Sequence, residues 1–485
     1  MTSAMAAGSE HRGRKPAVIW AMAGTVFWAA TAYLGILMFD AVPRIAAFDM
    51  NLLVEAGRAV AAGQSPYDPA LIRGFAPAAV DLFYSYPPIV GQVLAPVSAL
   101  PLGFITVAWA ILSVTLVTLV VVRIGRLLAA QVAPATVAAA TVAVAAMTFP
   151  LLIAVLFGNI DAFFPVLYGL VLIAALSPRV RDQAIGGVAI AIGSLTKVYP
   201  AGLGLWFLVR VARARAADRR RPVTVLAVAA VAAGALVAGS VVLFGLGPWQ
   251  DYTTVVSTAA RAEIVDGRNA APAAQLALWL HLDSGAARAF HVGVVAIAVA
   301  AIAAGAWFVA DPLESLAIAA AASLFLLPIS WIHYPAALLP FGAAAVLRAR
   351  SSDPRTRRRV GLLTAGAIMA GVLSIPWMPS LWIGIGLALL SVHTSTPRDR
   401  TPVLARRPAG RAKPITPLGH GGAVVNARAP VASVRSASGA LGDLSGRHPD
   451  DHGRGDRLVG RRGTLANPTG RSFEWPMTSA EGLEE

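Results

Sequence analysis

Two polar side chains that could do chemistry follow the first long apolar stretch of the sequence, Asp49 and Asn51. The residues after them have the pattern of a surface helix, predicted over residues 50–62 and ended by Gly63. A carboxylate just outside an apolar span can serve as a general base. It can equally cap the helix, because an Asp at a helix start satisfies free backbone N–H groups. The sequence leaves both interpretations of Asp49 open.

Other polar side chains recur where apolar stretches end. Asn159 and Asp161 follow one stretch, Lys197 separates two short ones, and His333 comes two residues after Trp331. Lys197 is one of only three lysines, and an ammonium binds phosphate differently from a guanidinium. Structural roles are also open: Asp161 as a helix cap, Lys197 as a snorkelling side chain, and His333 as a buried histidine bonded to the backbone.

Composition decides the class of protein. The 485 residues are 57% hydrophobic and 13% charged, with a mean hydropathy of +0.67, which indicates a polytopic membrane protein rather than a soluble domain. The sequence contains no Cys, which excludes disulfides, a thiolate nucleophile and cysteine metal ligands.

The net charge of +15 reflects membrane topology rather than nucleic-acid binding. The arginines cluster between the apolar stretches, as the positive-inside rule requires of cytoplasmic loops. We predict a basic cytoplasmic N-terminus over residues 1–16, an uncleaved first span over 17–39, and large external loops over 40–86 and 247–285. By this count the chain is a multi-pass protein of the plasma membrane. The residues that fall on the external side include Asp49, Tyr86, Asn159, Asp161, Lys197, Arg261 and His333. Their common side predicts one external site.

The apolar pattern predicts about 12 spans and a membrane-embedded domain over residues 17–392. Residues 393–485 are rich in Arg, Pro, Gly and Ser and have no sustained apolar period. Such a composition cannot bury enough apolar surface to offset chain entropy, so we predict a disordered cytoplasmic tail.

An external site limits the chemistry. The sequence has no phosphate-binding loop, no dinucleotide fingerprint and no His/Cys ligand set for zinc, so we expect no cofactor and no metal. A lipid-linked phosphosugar is an activated donor that resides in the bilayer. Sugar transfer from it needs one base and cations for the leaving phosphate, which Asp49, Lys197, Arg261 and His333 could supply.

Several short motifs follow one another along the chain. They are Asp49, Gly63, Pro66 and Tyr67, then Tyr86-Pro87-Pro88, Gly158-Asn159, Lys197 with Pro200, and Ser330-Trp331 with His333. In this order they resemble glycosyltransferase family 87, whose members are integral-membrane, polyprenyl-phosphate-mannose-dependent alpha-mannosyltransferases, including alpha-(1-2)-mannosyltransferase-like proteins. The resemblance covers roughly residues 17–390.

This resemblance implies an all-α polytopic fold of the GT-C glycosyltransferase type, with about 10–13 transmembrane helices. It also implies an inverting transfer of mannose to a cell-envelope glycolipid or lipoglycan, such as a phosphatidylinositol mannoside. Asp49 would be the catalytic base, with His333 near the acceptor or the leaving phosphate. We predict that Lys197 and Arg261 bind the donor phosphate. The predicted substrate-binding residues are Asn51, Tyr86, Asn159 and Trp331.

Three alternatives stay open at this point. The sugar could be arabinose or another lipid-linked sugar. The protein could be a transporter or flippase of amphiphilic substrates, because the paired short segments near Tyr86 and Pro200 are typical of interrupted transport helices. A non-catalytic envelope scaffold is the third.

Overall fold

The computed structural model describes residues 2–41, 47–75, 83–216 and 218–397. These residues form α-helices and three short 3-10 helices, and the described part contains no β-strand. In a bilayer every backbone N–H and C=O group needs a partner within the protein, and a helix provides one within its own segment. The predicted all-α fold class is confirmed.

The described residues form eighteen α-helices, numbered in chain order. The first nine are α1 Thr2–Ala41, α2 Phe48–Ala61, α3 Pro69–Ile72, α4 Pro88–Leu94, α5 Leu102–Leu128, α6 Pro134–Met147, α7 Phe149–Leu156, α8 Phe164–Leu176 and α9 Val180–Thr196. The remaining nine are α10 Ala201–Arg213, α11 Arg220–Phe244, α12 Gly247–Ala259, α13 Pro272–Trp279, α14 Ser284–Phe308, α15 Pro312–Ser323, α16 Leu339–Ala349, α17 Pro354–Leu373 and α18 Ser380–Ser395. The 3-10 helices are Ala95–Val97, Ile160–Phe163 and Tyr334–Leu338.

Within the described residues, four helices are long and apolar enough to cross a membrane: Pro16–Leu37 of α1, and α5, α11 and α14. A fifth span results if α6 and α7 count together, although they meet at an angle of 77°. Five shorter apolar helices accompany them. The chain is therefore a polytopic membrane protein, while the number of 10–13 spans stays a prediction.

Two helix breaks have identifiable causes. Pro150 lies at the start of α7 and has no N–H with which to continue the hydrogen bonds of α6. Between α9 and α10 the backbone is extended at Lys197, and Pro200 precedes the first residue of α10. The predicted pair of short segments around Lys197 is therefore present.

The main hydrophobic core lies where α5, α8, α9, α10, α15 and α16 meet. Because lipid is as apolar as these side chains, close packing rather than exclusion from water holds such helices together. A side chain at Gly187 would place its Cβ 2.5 Å from the carbonyl oxygen of Val225, so α9 and α11 approach through a glycine.

The two predicted external segments, 40–86 and 247–285, contact each other. Their helices α3 and α12 pack together, and Ser65 Oγ donates to Asp251 Oδ2 at 2.7 Å. The rings of Tyr67 and Tyr252 lie 6.2 Å apart. Asp81, which belongs to the first segment, lies outside the described residues.

The predicted terminal segments are only partly described. The segment 1–16 is helical from Thr2, as the first part of α1. Helix α18 ends at Ser395, slightly beyond the predicted domain end at residue 392. Residues 398–485 lie outside the described residues, so the disordered tail stays a prediction.

Candidate functional site

Asp49 lies in the first turn of α2, and the start of that helix rests on the end of α7. The backbone N–H of Ala47 donates to the carbonyl of Leu156 at 3.1 Å, and that of Met50 donates to the carbonyl of Phe157 at 3.1 Å. These carbonyls satisfy N–H groups that a side-chain cap would otherwise bind. The N-cap residue is Ala47, with no side-chain cap. The interpretation of Asp49 as a simple helix cap is therefore wrong.

A glycine allows this close contact. Gly158 has φ +65°, and a Cβ at this position would lie 2.5 Å from the Cβ of Met50, the residue after Asp49. Glycine is the residue that adopts such a backbone without strain. The turn at Gly158 therefore sets the distance between Asp49 and the segment that follows α7.

Asn159 joins the two acidic residues. Its Nδ2 donates to Asp49 Oδ2 at 2.8 Å, and its Oδ1 accepts from the backbone N–H of Asp161 at 2.8 Å. Its carbonyl accepts from Trp109 Nε1 at 3.1 Å. With both ends of the buried amide engaged, Asn159 fixes the orientation of the Asp49 carboxylate.

Asp161 is fully buried and joins three segments. Lys197 Nζ donates to its Oδ2 at 2.7 Å, and Tyr199 donates its hydroxyl to Oδ1 at 3.2 Å. His333 Nε2 lies 2.8 Å from the same Oδ2. This approach of His333 is within ion-pair distance, so the two side chains are in direct electrostatic contact. Since Asn159 caps the short helix, the interpretation of Asp161 as a cap is wrong.

The ammonium of Lys197 is enclosed by aromatic rings. Nζ lies 4.5 Å from the ring centroid of Tyr334 and 5.5 Å from that of Tyr86, distances at which a cation is attracted to a ring face. The side chain is only 10% exposed. A snorkelling lysine would carry its charge into water, so that interpretation of Lys197 is wrong.

Burial raises the pKa of Asp49 above its ordinary value, against the opposing effects of His333, the hydrogen bond from Asn159, and Lys197. These charges act on Asp49 because the residues lie near it. We call Asp49, Asn159, Asp161, Lys197 and His333 the central cluster. A carboxylate with a raised pKa is a stronger base than an ordinary one, and the charge of Lys197 acts on it from the same cluster.

Three of the predicted site residues make their contacts outside the central cluster. Asn51 Nδ2 donates to Glu55 Oε1 at 2.9 Å, and the exposed Arg261 donates to the carbonyl of Gly74 at 3.2 Å. Trp331 is half-buried against the main hydrophobic core. The substrate and phosphate roles assigned to these residues stay predictions.

Two tyrosines of the site were not predicted. Tyr199 follows Lys197 by two residues, and Tyr334 follows His333 directly; their rings stack with centroids 5.0 Å apart. Their sequence neighbours carry the signal that could have found them. The periodicity of apolar residues does not predict that Tyr199 and Tyr334, which are far apart in sequence, meet beside the carboxylate of Asp161.

A family model described as Glycosyltransferase family 87 matches residues 84–335, more than half of the chain. The matched region includes Asn159, Asp161, Lys197 and His333, whereas Asp49 precedes it. No curated protein and no solved structure matches the chain. With its membrane-length helices and this family match, the chain belongs to glycosyltransferase family 87 and is a membrane glycosyltransferase.

Proposed function

We propose that this glycosyltransferase moves mannose from a polyprenyl-phosphate-mannose donor to a glycolipid or lipoglycan of the cell envelope. The reaction takes place on the external face of the plasma membrane and inverts the anomeric centre. Asp49 is the general base, and the lipid-linked donor needs no separate cofactor.

The observation that carries this proposal is the setting of Asp49. Its carboxylate is half-buried, is oriented by the hydrogen bond from Asn159, and has a raised pKa. A base must hold its carboxylate in a fixed place and must have a pKa closer to the working pH than a solvated Asp has. Asp49 meets both conditions.

The transfer requires one bond to form and one to break. The acceptor hydroxyl oxygen attacks the anomeric carbon while its proton passes to Asp49. The bond from that carbon to the phosphate oxygen breaks, and its electron pair leaves with the lipid phosphate. Attack opposite the leaving group gives inversion at that carbon.

Negative charge grows on the leaving phosphate during this step. Lys197 and His333 both contact Asp161, whose backbone N–H is bonded to the Asn159 side chain that also donates to Asp49, and their nitrogens supply N–H groups to stabilise that charge. In a buried site such groups act strongly because little solvent screens them. Arg261 contacts the carbonyl of Gly74 instead. Its part in phosphate binding rests only on the prediction that it lies on the external side of the membrane.

The test is transfer of radiolabelled mannose from synthetic polyprenyl-phosphate-mannose to membrane glycolipids by purified protein. We expect Asp49→Asn to lose about 100-fold or more of the rate, because general-base catalysis contributes typically 10²–10⁴-fold. Asn has the same shape and can still accept the hydrogen bond from Asn159. Glu55→Gln is the matched control, with the same chemical change in an exposed residue of the same helix, and should transfer normally.

If Asp49→Asn and the wild type transferred mannose equally, Asp49 would not be the base, whereas the assignment of the mannose donor would still hold. Absence of transfer by the wild type, with transfer from a lipid-linked arabinose donor, would replace mannose by arabinose.

A further inference from the structure

An apolar groove of about 420 Å³ lies between α6, α16, α17 and α18. One face of α16 and of the 3-10 helix before it lines the groove, at Pro335, Leu339, Gly342, Val346 and Arg350. Residues three and four positions apart share one face of a helix, so these residues form a single stripe. At the rise of an α-helix the stripe is on the order of 20 Å long. Both the volume and the length suit a chain-like ligand.

The walls of the groove suit hydrocarbon. A Cβ added at Gly342 would meet no atom of the described residues within 4 Å, and the same holds at Gly361 of α17. The hydroxyls of Thr141 and Thr148 donate to carbonyls of their own helix, and the hydroxyl of Thr364 bonds to one on α18. Protein interiors leave few voids of this size, and an apolar space does not hold ordered water. A hydrocarbon chain is therefore the ligand that fits these walls.

Charge is confined to one end of the groove, where Arg350 is the only charged residue of the lining. Arg350 is exposed, and no carboxylate of the described residues pairs with it, whereas Arg348 is paired with Asp311 at 2.9 Å. The segment 350–359, which leads into α17, contains five arginines and one aspartate, which leaves four net positive charges. That aspartate, Asp353, accepts from backbone N–H groups at the start of α17. The groove therefore ends at a cluster of cations.

We propose that this groove binds an anionic phospholipid of the cytoplasmic leaflet. An acyl chain lies along α16, and the phosphate headgroup lies at Arg350 and the arginines that begin α17. Arginine-rich segments are typical of the cytoplasmic side, and basic pockets between transmembrane helices on that side bind anionic headgroups.

The position of Arg350 distinguishes this ligand from the lipid chain of the sugar donor. The opposite end of the groove, at Pro335, follows His333 by two residues, so a chain attached to the donor phosphate could enter there. Such a chain carries no charge where it reaches Arg350 and would leave the guanidinium without an anion. A phospholipid has its hydrocarbon and its anion together at the end where the cations lie. No residue of the central cluster takes part in this binding.

The headgroup is tested by the thermal unfolding temperature of the purified full-length protein in detergent, with added phosphatidylglycerol or phosphatidylcholine of the same acyl chains. A ligand that binds the folded protein alone raises this temperature. For the wild type we expect phosphatidylglycerol to raise it by about 2–5 °C more than phosphatidylcholine does. Arg350→Gln should lose most of that difference. Arg181→Gln, the same change at an exposed arginine near the start of α9, should keep it.

The acyl chain is tested by filling the groove. Gly342→Phe places a ring in it without weakening α16, because Gly is a poor helix former. The difference between the two lipids should then be lost. Gly386→Phe is the matched control, because Gly386 is exposed on α18 and an added Cβ there also meets nothing within 4 Å. If Gly342→Phe does not fold, Gly342→Leu takes its place.

Three results would overturn the inference. The wild type could respond equally to both lipids. Arg350→Gln and Arg181→Gln could lose the difference equally, which would mean that diffuse surface charge holds the lipid. Gly342→Phe could keep the difference, and slower transfer by it from a long-chain donor than from farnesyl-phosphate-mannose would assign the groove to the donor chain. Mannose transfer by the wild type reports separately on the proposed function.

Discussion

Among the residues that the structure describes, two histidine–carboxylate pairs have nearly equal length and very different surroundings. His393 Nδ1 lies 2.7 Å from Glu314 Oε1, and His333 Nε2 lies 2.8 Å from Asp161 Oδ2. The side chain of His393 is 57% exposed, whereas that of His333 is 5% exposed. Water can solvate the first pair if it separates, but not the second. The distance alone therefore says little about what a pair does.

The same contrast holds for pairs with a permanent cation. Arg123 and Asp182 are joined at 2.8 Å, with Arg123 28% exposed. Ser177 also donates to Asp182. Each partner is satisfied and partly solvated, as in an ordinary pair that ties two helices together. In the central cluster, by contrast, the carboxylate of Asp161 contacts two nitrogens, those of Lys197 and His333, and all three side chains are at most 10% exposed. A buried carboxylate shared between two nitrogens differs in this way from a partly solvated pair that ties two helices together.

The largest effect should come from breaking the buried pair. Lys197→Met leaves Asp161 buried without its ammonium, which should lower the free energy of unfolding by about 3–5 kcal/mol. Arg123→Met breaks the partly exposed pair and should cost about 1 kcal/mol or less. Thermal unfolding of the two purified variants measures the difference. Equal losses would mean that burial does not separate the two pairs.

A backbone change should come next. Gly158→Ala places an alanine in a left-handed backbone, which should lower the free energy of unfolding by about 1–2 kcal/mol. The added Cβ also clashes with Met50, which should lower it by a further ~1–3 kcal/mol. The shift of α2 should move Asp49 and lower transfer about 100-fold. Gly63→Ala is the control, since φ is +71° but nothing lies within 4 Å of the added carbon. A variant at Gly158 with normal transfer would show that Asp49 need not be held in place.

The pH dependence of transfer tests the base itself. Because burial raises the pKa of Asp49, the rate should fall as the pH falls, and this fall should begin above the ordinary Asp value of about 3.9. The folded protein also binds this proton more tightly than the unfolded chain does. The protonated group therefore stabilises the fold at low pH, and that contribution is lost as the pH rises through the folded pKa. A rate profile that follows an ordinary Asp would contradict the raised pKa.

The smallest effect is expected from single cysteines that test which side of the membrane two segments face. Since the sequence has no Cys, a single introduced cysteine gives an unambiguous label. Ser257→Cys on α12 should react with a membrane-impermeant maleimide in intact cells. Ser351→Cys, beside the arginines after α16, should react only after the cells are opened. Both serines are exposed, and neither belongs to the central cluster, so transfer should be unchanged. Reversed labelling would move the proposed site to the cytoplasmic face.

Much of the site could be predicted from the sequence because each polar residue interrupts an apolar pattern. Asp49, Asn159, Lys197 and His333 were all identified in that way. Asp161 was also placed at the predicted external site, with a helix cap left open as its structural alternative, because a carboxylate near a helix start usually binds N–H groups of its own segment. Here Asn159 takes that role, so the carboxylate of Asp161 is free to reach other segments.

The sequence by itself determined that this chain is helical and lies in a membrane, since apolar length and charge placement depend only on local composition. It also determined which polar residues interrupt the apolar segments. The tertiary structure decided which of them meet: α7 supplies the carbonyls that hold the start of α2, and the break after α9 brings Lys197 to Asp161. These contacts join residues 36 positions apart, as with Lys197 and Asp161, or 110 apart, as with Asn159 and Asp49, and they depend on how whole helices pack. No local pattern records that packing.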